Sequence, residues 1–92
     1  MNYLHQEIEL DAEDVVEVTL DHPANVQLLS AHEFEQYQQG KPFRYAGGYF
    51  RESPARISAP YPGRWHVVVD LGGGAGSVRA SLRILPDTTV SG

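Results

Sequence analysis

The sequence predicts an all-β protein: a small antiparallel β-sandwich of about seven strands, with one short helix near residues 31–39. Three observations carry this reading. Apolar and polar residues alternate with period two along most of the chain, the pattern of strands with one buried face. Only one stretch has both a helix start and a helix stop, too little for the strand–helix alternation of an α/β chain. At 92 residues and 41% hydrophobic content, the chain can build one core and not two. Residues 1–86 are therefore expected to form a single domain, with 87–92 as a polar tail.

In "LHQEIEL", Leu4, Ile8 and Leu10 point one way, and His5, Glu7 and Glu9 the other. "VVEVTL" repeats the pattern, with Val16, Val18 and Leu20 inward and Glu17 and Thr19 outward. After the loop "DHPAN", "VQLL" resumes it. Leu20 opposite Val26 and Val18 opposite Leu28 puts both apolar sets on one face, so the two segments are in phase for a hairpin. Ser30 and Glu33 form a capping box, in which the Ser side chain accepts from the Glu33 amide and the Glu reaches back. Gly40 is the matching stop. Phe34 and Tyr37 share a face of this helix, which is expected to lie across an edge or end of the sheets. The chain is then extended again. "PFRYAGGYFRES" has Gly47–Gly48 as a turn or bulge, "ARISAP" is a short strand, and "YPGR" has the signature of a type II turn. The strands "RWHVVVDL" and "SVRASLRIL" follow.

Between these last two runs lies "GGGAGS". A phosphate cradle needs Lys-Ser/Thr after its last glycine, or Gly-x-Gly-x-x-Gly opening a helix. Counting from Gly72, the third glycine of that fingerprint falls on Ser77, and a strand follows where a helix would be required. The loop therefore reads as a hairpin connection. Pairing the flanking strands sets Asp70 opposite Arg79, Val68 opposite Ser81 and His66 opposite Arg83, with one neighbouring register also allowed. Trp65, Val67, Val69 and Leu71 share the inward face, so Trp65 is expected in the core; His66, Val68 and Asp70 face the other way.

The chain has no cysteine, which excludes disulfides, thiolate metal sites and cysteine nucleophiles. No apolar run approaches the ~20 residues of a membrane span, and the first residues lack the basic and apolar regions of a signal peptide. A cytoplasmic protein with no membrane association is the expectation. The net charge of −5 is unevenly spread: residues 1–40 hold nine carboxylates and no cation, and residues 41–92 hold seven cations and three carboxylates. Six of the cations are Arg, a side chain suited to forked pairing and ring stacking. Glu7, Glu9 and Glu17 meet Arg79 and Arg83 within the monomer if the terminal strands share a sheet, which is the favoured layout. If they do not, acidic and basic outer faces would favour contacts between copies. A weak homodimer through an uncovered sheet edge is expected.

His5, His22, His32 and His66 form no compact ligand pattern, so neither a metal nor another cofactor is expected. No serine lies in Gly-x-Ser-x-Gly, and no carboxylate pair is marked for acid/base work. Eight of the nine aromatic residues fall between Phe34 and Trp65, interleaved with Arg44, Arg51, Arg56 and Arg64. Rings among arginines can stack on sugars or bases, although core and hairpin packing accounts for most such rings. The negative net charge opposes nucleic-acid binding. Candidate ligand- or partner-binding residues are Arg44, Tyr45, Tyr49, Arg64, His66, Arg79 and Arg83.

The segment "YAGGYFRESPARISAPYPGRWHVVVDLGGGAGSVRASLRIL", with "VVEVTL" and "ANVQLL" before it, resembles a small bacterial domain family of unknown function, the one numbered eighteen eighty-three. "SPARI" and "GRWHVVVDLGG" are the most specific pieces, and the likeness covers residues 2–85. The resemblance implies a short β-rich protein of a kind sometimes joined to TIR-like domains, with a binding or sensing role. It brings no catalytic residue and no cofactor. "GRWHVVV" is also distantly similar to pre-peptidase-type and carbohydrate-binding sandwiches, which place Gly-x-Trp/Tyr-x-Val-x-Val after a turn. The expected function is a non-catalytic binding or interaction module for a protein partner or a second copy. The alternatives are a small-ligand sensor for a sugar or an anionic nucleotide-like molecule, and a hydrolase of unfamiliar type.

Overall fold

The computed structural model describes residues 3–71 and 76–86. Among them are seven strands and one helix: β1 (Tyr3–Leu10), β2 (Val15–Leu20), β3 (Ala24–Leu29), α1 (Ala31–Gln38), β4 (Ala46–Phe50), β5 (Ala55–Ser58), β6 (Gly63–Asp70) and β7 (Ala80–Leu85). The strands form two antiparallel sheets, ordered β1-β6-β3-β4 and β5-β2-β7. Ile8, Leu10, Val16, Val18, Val26, Leu28, Ile57, Trp65, Val67 and Val69 meet between them as one core. These are the inward positions that the alternation marks. The protein is thus a small β-sandwich, as the period-two pattern requires.

Adjacent segments do not pair as expected. β2 and β3 belong to different sheets, so "DHPAN" arches over the core and does not close a hairpin. The in-phase apolar sets satisfy an arch equally well, because two strands facing each other across a core also point those residues at one another. The hairpin between β6 and β7 is likewise absent. β6 pairs with β1 and β3, and β7 pairs with β2. Asp70 stands opposite Tyr3 and Asn25 in place of Arg79. The glycine loop itself, 72–75, and the polar tail, 87–92, lie outside the described residues. Leu4 is in phase with the core row yet 42% exposed, because a crevice opens beside it between β1 and β7.

Helix α1 lies on the outer face of the four-stranded sheet, over β3 and β6, and not at an edge or end. Phe34 and Tyr37 pack there on Leu29 and Val68 as a second apolar cluster. Half of the expected capping box forms. Ser30 Oγ accepts from the Glu33 amide at 3.3 Å, but the Glu33 carboxylate turns to the Arg44 amide, 2.6 Å away. The C-terminus closes as a Schellman motif. Gly40, at φ +71, donates to the Tyr37 carbonyl, and Lys41 donates to the Gln36 carbonyl.

Gly47 and Gly48 are strand residues of β4, opposite Gln27 and Val26, and not a turn. Gly47 holds φ +117, and a Cβ there would come within 2.2 Å of the Val26 carbonyl oxygen; at Gly48 a Cβ would meet nothing within 4 Å. Gly63 has φ +144, past the roughly +80° of a type II turn, and opens β6 directly. Two substitutions separate these effects in urea melts. Gly47→Ala should destabilise far more than Gly48→Ala, whose cost stays near or below ~1 kcal/mol. Trp65→Ala, at a position 4% exposed, should lose roughly 3–5 kcal/mol. Equal midpoints for the two alanine variants would contradict the strand geometry of β4.

Candidate ligand-binding cleft

Past Gly40 the chain doubles back along α1 towards β4. Two contacts hold this return segment: the Phe43 ring meets Tyr37 edge-on at 5.2 Å, and the Arg44 amide donates to Glu33. The return leaves a cleft of about 330 Å³ between the start of α1, the Arg44–Ala46 segment and the loop before β6. Its walls include Ser30, Glu33, Arg44, Tyr45 and Tyr61, over Trp65. Tyr45 and Tyr61 are 50% and 54% exposed. Each is backed by a second ring, Tyr45 by Phe43 at 5.5 Å and Tyr61 by Trp65 at 4.7 Å. The Trp65 indole donates to the Tyr61 carbonyl at 3.0 Å, which fixes the loop that carries Tyr61. Exposed, supported ring faces beside a guanidinium, a carboxylate and a hydroxyl form the usual makings of a small-molecule seat.

A second cluster lies on the outer face of the four-stranded sheet. His5 of β1 and His66 of β6 share a hydrogen bond of 2.8 Å between Nε2 and Nδ1. Phe34 stacks over both imidazoles, with centroids 4.2 and 4.6 Å away and planes within 14° and 9°. Glu7 lies beyond, 3.7 Å from His66 Nε2 and 3.5 Å from Arg64 Nε. Among the described residues no group of three or more His, Cys, Asp or Glu is placed to hold a metal ion. This cluster ties β1 and β6 to the helix above them.

The structure thus distributes the seven candidate residues. Arg44 and Tyr45 meet in the cleft, and Arg64 and His66 meet beside Glu7. Tyr49 stands on β4, exposed, opposite Asn25. Arg83 is bound to Glu17 at 2.6 Å, while Arg56 holds the other oxygen of the same carboxylate at 3.0 Å, so Arg83 clamps β2 to its neighbours. The Arg79 amide donates to Asp21. Sequence reasoning missed Tyr61, Glu33, Ser30 and His5. The Pro-Tyr-Pro-Gly setting of Tyr61 marked a turn, and an aromatic at a turn is a candidate for exposure, a signal that was available.

The family model described as a domain of unknown function, DUF1883, matches residues 1–88. No curated protein and no solved structure matches the chain. Among the described residues, no helix is long and apolar enough to cross a membrane.

Partial desolvation of the ring stacked on Phe34 holds the His5 imidazole below its ordinary 6.5, and His66 adds to that effect while Glu7 opposes it. The folded protein then binds a proton at His5 less readily than the unfolded chain. Stability is kept above about pH 6.5 and declines as the pH falls below it. Glu17 is held below 4.5 first by its hydrogen bonds from Arg83 and Arg56, and Asp21 below 3.8 first by the Arg79 amide. Their stabilisation is lost only in the acid range. Urea midpoints at about pH 7.5, 5.5 and 3.5 should therefore fall in two stages. His5→Asn should remove the upper one, and a midpoint unchanged between the first two pH values would contradict the assignment.

Proposed function

We propose that this chain, which belongs to the DUF1883 family of domains of unknown function, is a non-catalytic binding module whose cleft takes a neutral carbohydrate ring. The observation that carries this is the pair of exposed tyrosines, each backed by a buried or half-buried ring, around a mixed polar wall. A sugar ring has apolar C–H faces that pack on aromatic faces, and hydroxyls that need donors and acceptors together. Arg44 supplies only donors and Glu33 only acceptors. An anionic nucleotide is a poorer fit, because the Glu33 carboxylate shares the wall with Arg44 and the whole chain carries −5. Ser30 Oγ already accepts from the Glu33 amide and has no histidine beside it in the cleft lining, which favours binding over hydrolysis. A cytoplasmic location belongs to the same reading.

Calorimetric titration with methyl glucoside and maltose, in parallel with AMP, tests it. Saccharide binding should be measurable and AMP binding absent. Tyr45→Ala and Tyr61→Ala should each weaken saccharide binding roughly tenfold while leaving the thermal midpoint of the free protein nearly unchanged. AMP binding that needs Arg44, without saccharide binding, would replace the carbohydrate reading with the anionic one. Saccharide binding indifferent to both tyrosines would remove the cleft from consideration.

A further inference from the structure

Among the described residues, strand β1 is an edge. It pairs with β6 on one side, and its other side ends the four-stranded sheet. It is eight residues long and contains no Lys, no Pro and no glycine. Edge strands are normally blunted by Lys and other charges, by Pro or by a bulge, and of these β1 has only the carboxylates of Glu7 and Glu9. Leu4, His5, Gln6 and Glu7 are all exposed. Leu4 is 42% exposed although it lies in the same row as Ile8, because a crevice of about 230 Å³ opens between β1 and β7. Leu4 and the half-buried Leu82 flank that crevice, and the buried Val67 and Val69 form its floor, so this flank of the core is covered more thinly than the rest.

We propose that β1 is a self-association surface, pairing antiparallel with β1 of a second copy about a two-fold axis through Gln6. The sequence Leu4-His5-Gln6-Glu7-Ile8 is complementary to its own reverse. In this register Leu4 faces Ile8 of the second copy, His5 faces Glu7, Tyr3 faces Glu9, and Gln6 meets Gln6, whose amide both donates and accepts. Every pair except the central one occurs twice by symmetry. Moving the axis to Glu7 sets Glu7 against Glu7, and moving it to His5 sets His5 against His5 and Leu4 against Gln6. A half-step in either direction puts the Leu4 row on the wrong face of the extended sheet. The Gln6 axis alone among these opposes neither two carboxylates nor two imidazoles and pairs the apolar residues, its one like pair being the self-complementary Gln6 amides. It also joins the two open flanks through Leu4 and Ile8. None of the residues lining the ligand cleft lies on β1, so this inference stands apart from the carbohydrate reading, and the dimer would present both clefts.

The absence of cysteine from the chain makes the test free of background. Sedimentation velocity over a wide concentration range should show monomer and dimer in exchange. Gln6→Cys places two thiols on the axis, where opposed Cα atoms at ~4.5–5.5 Å suit a disulfide. Mild oxidation should cross-link it to a covalent dimer much faster than His5→Cys or Glu7→Cys. His5→Glu sets carboxylates opposite one another twice and should weaken the dimer about tenfold. His5→Glu/Glu7→Lys should restore it, with circular dichroism confirming that both variants fold. A protein that stays monomeric at ~1 mM, where association would contribute less than about 4 kcal/mol, would overturn the proposal. So would a dimer that cross-links through His5→Cys or Glu7→Cys and not through Gln6→Cys.

Discussion

Strand β6 is buried on both faces, and most of the architecture follows from that constraint. Trp65, Val67 and Val69 enter the core between the sheets, while His66, Val68 and Asp70 are covered on the opposite face. A strand of this kind needs a strand on each side for its backbone and a cover for its second face. β1 and β3 provide the first, and Phe34 and Tyr37 of α1 provide the second. The cover is also tied down by polar groups. The buried Asp70 carboxylate accepts from the Tyr37 hydroxyl at 2.7 Å and from Asn25 Nδ2 at 2.9 Å. Burial and the Asp70 charge push the Tyr37 hydroxyl upward, so it stays protonated and remains a donor. Stripping either partner from that carboxylate would leave a buried charge short of a hydrogen bond, which costs more than the bond itself contributes.

This constraint separates what the sequence discloses from what it does not. Alternation locates strands because side-chain direction is a local property, and β1, β2, β5 and β6 lie where the pattern places them. It does not record neighbours. "VVEVTL" and "ANVQLL" are in phase whether they pair in one sheet or face each other across the core, and they do the latter. The three consecutive valines of "HVVVD" break strict alternation, and a continuous apolar run is the mark of a strand covered on both sides. Read that way, β6 asks for a cover on its outer face. The only helix signal, Ser30 to Gly40, has two aromatic residues available for the purpose. Gly47 was less legible. Its place is closed to any Cβ by the approach of the Val26 carbonyl, a tertiary contact with no local trace.

The split of charge along the chain resolves in the same non-local way. Glu17 lies at the middle of the three-stranded sheet with β5 and β7 on either side, and it is 5% exposed. Arg56 and Arg83 reach it from those two strands, so an acidic residue of the first half joins two cations of the second. Exposed ion pairs contribute little. Here the carboxylate is buried and both of its oxygens are bound, which makes the arrangement sensitive to loss of either arginine. Glu7 and Arg64 repeat the theme on the other sheet in a more solvated setting. The last strand, β7, shares a sheet with β2 and so sets Arg83 opposite Glu17, as the favoured layout has it, while β1 with Glu7 and Glu9 lies in the other sheet.

The aromatic and arginine residues between Phe34 and Trp65 look like one feature in the sequence and divide into three in the fold. Phe34, Tyr37 and Phe43 belong to the helical cover, and Trp65 and Phe50 belong to the core. Tyr45, Tyr49 and Tyr61 remain exposed. Of these, Tyr45 and Tyr61 line one concavity, and each rests on a ring from one of the other groups: Phe43 from the cover and Trp65 from the core. The cleft is thus a by-product of covering β6. The helix has to stand on the outer face, the chain has to return from its far end to β4, and the return path leaves a gap beside the loop that seats Trp65. Its walls are held by the same contacts that hold the fold, namely Glu33 on the Arg44 amide, Phe43 on Tyr37 and Trp65 on the Tyr61 carbonyl. A cleft built this way is preformed, and under the carbohydrate reading proposed above it would spend little contact energy on ordering itself around a ligand.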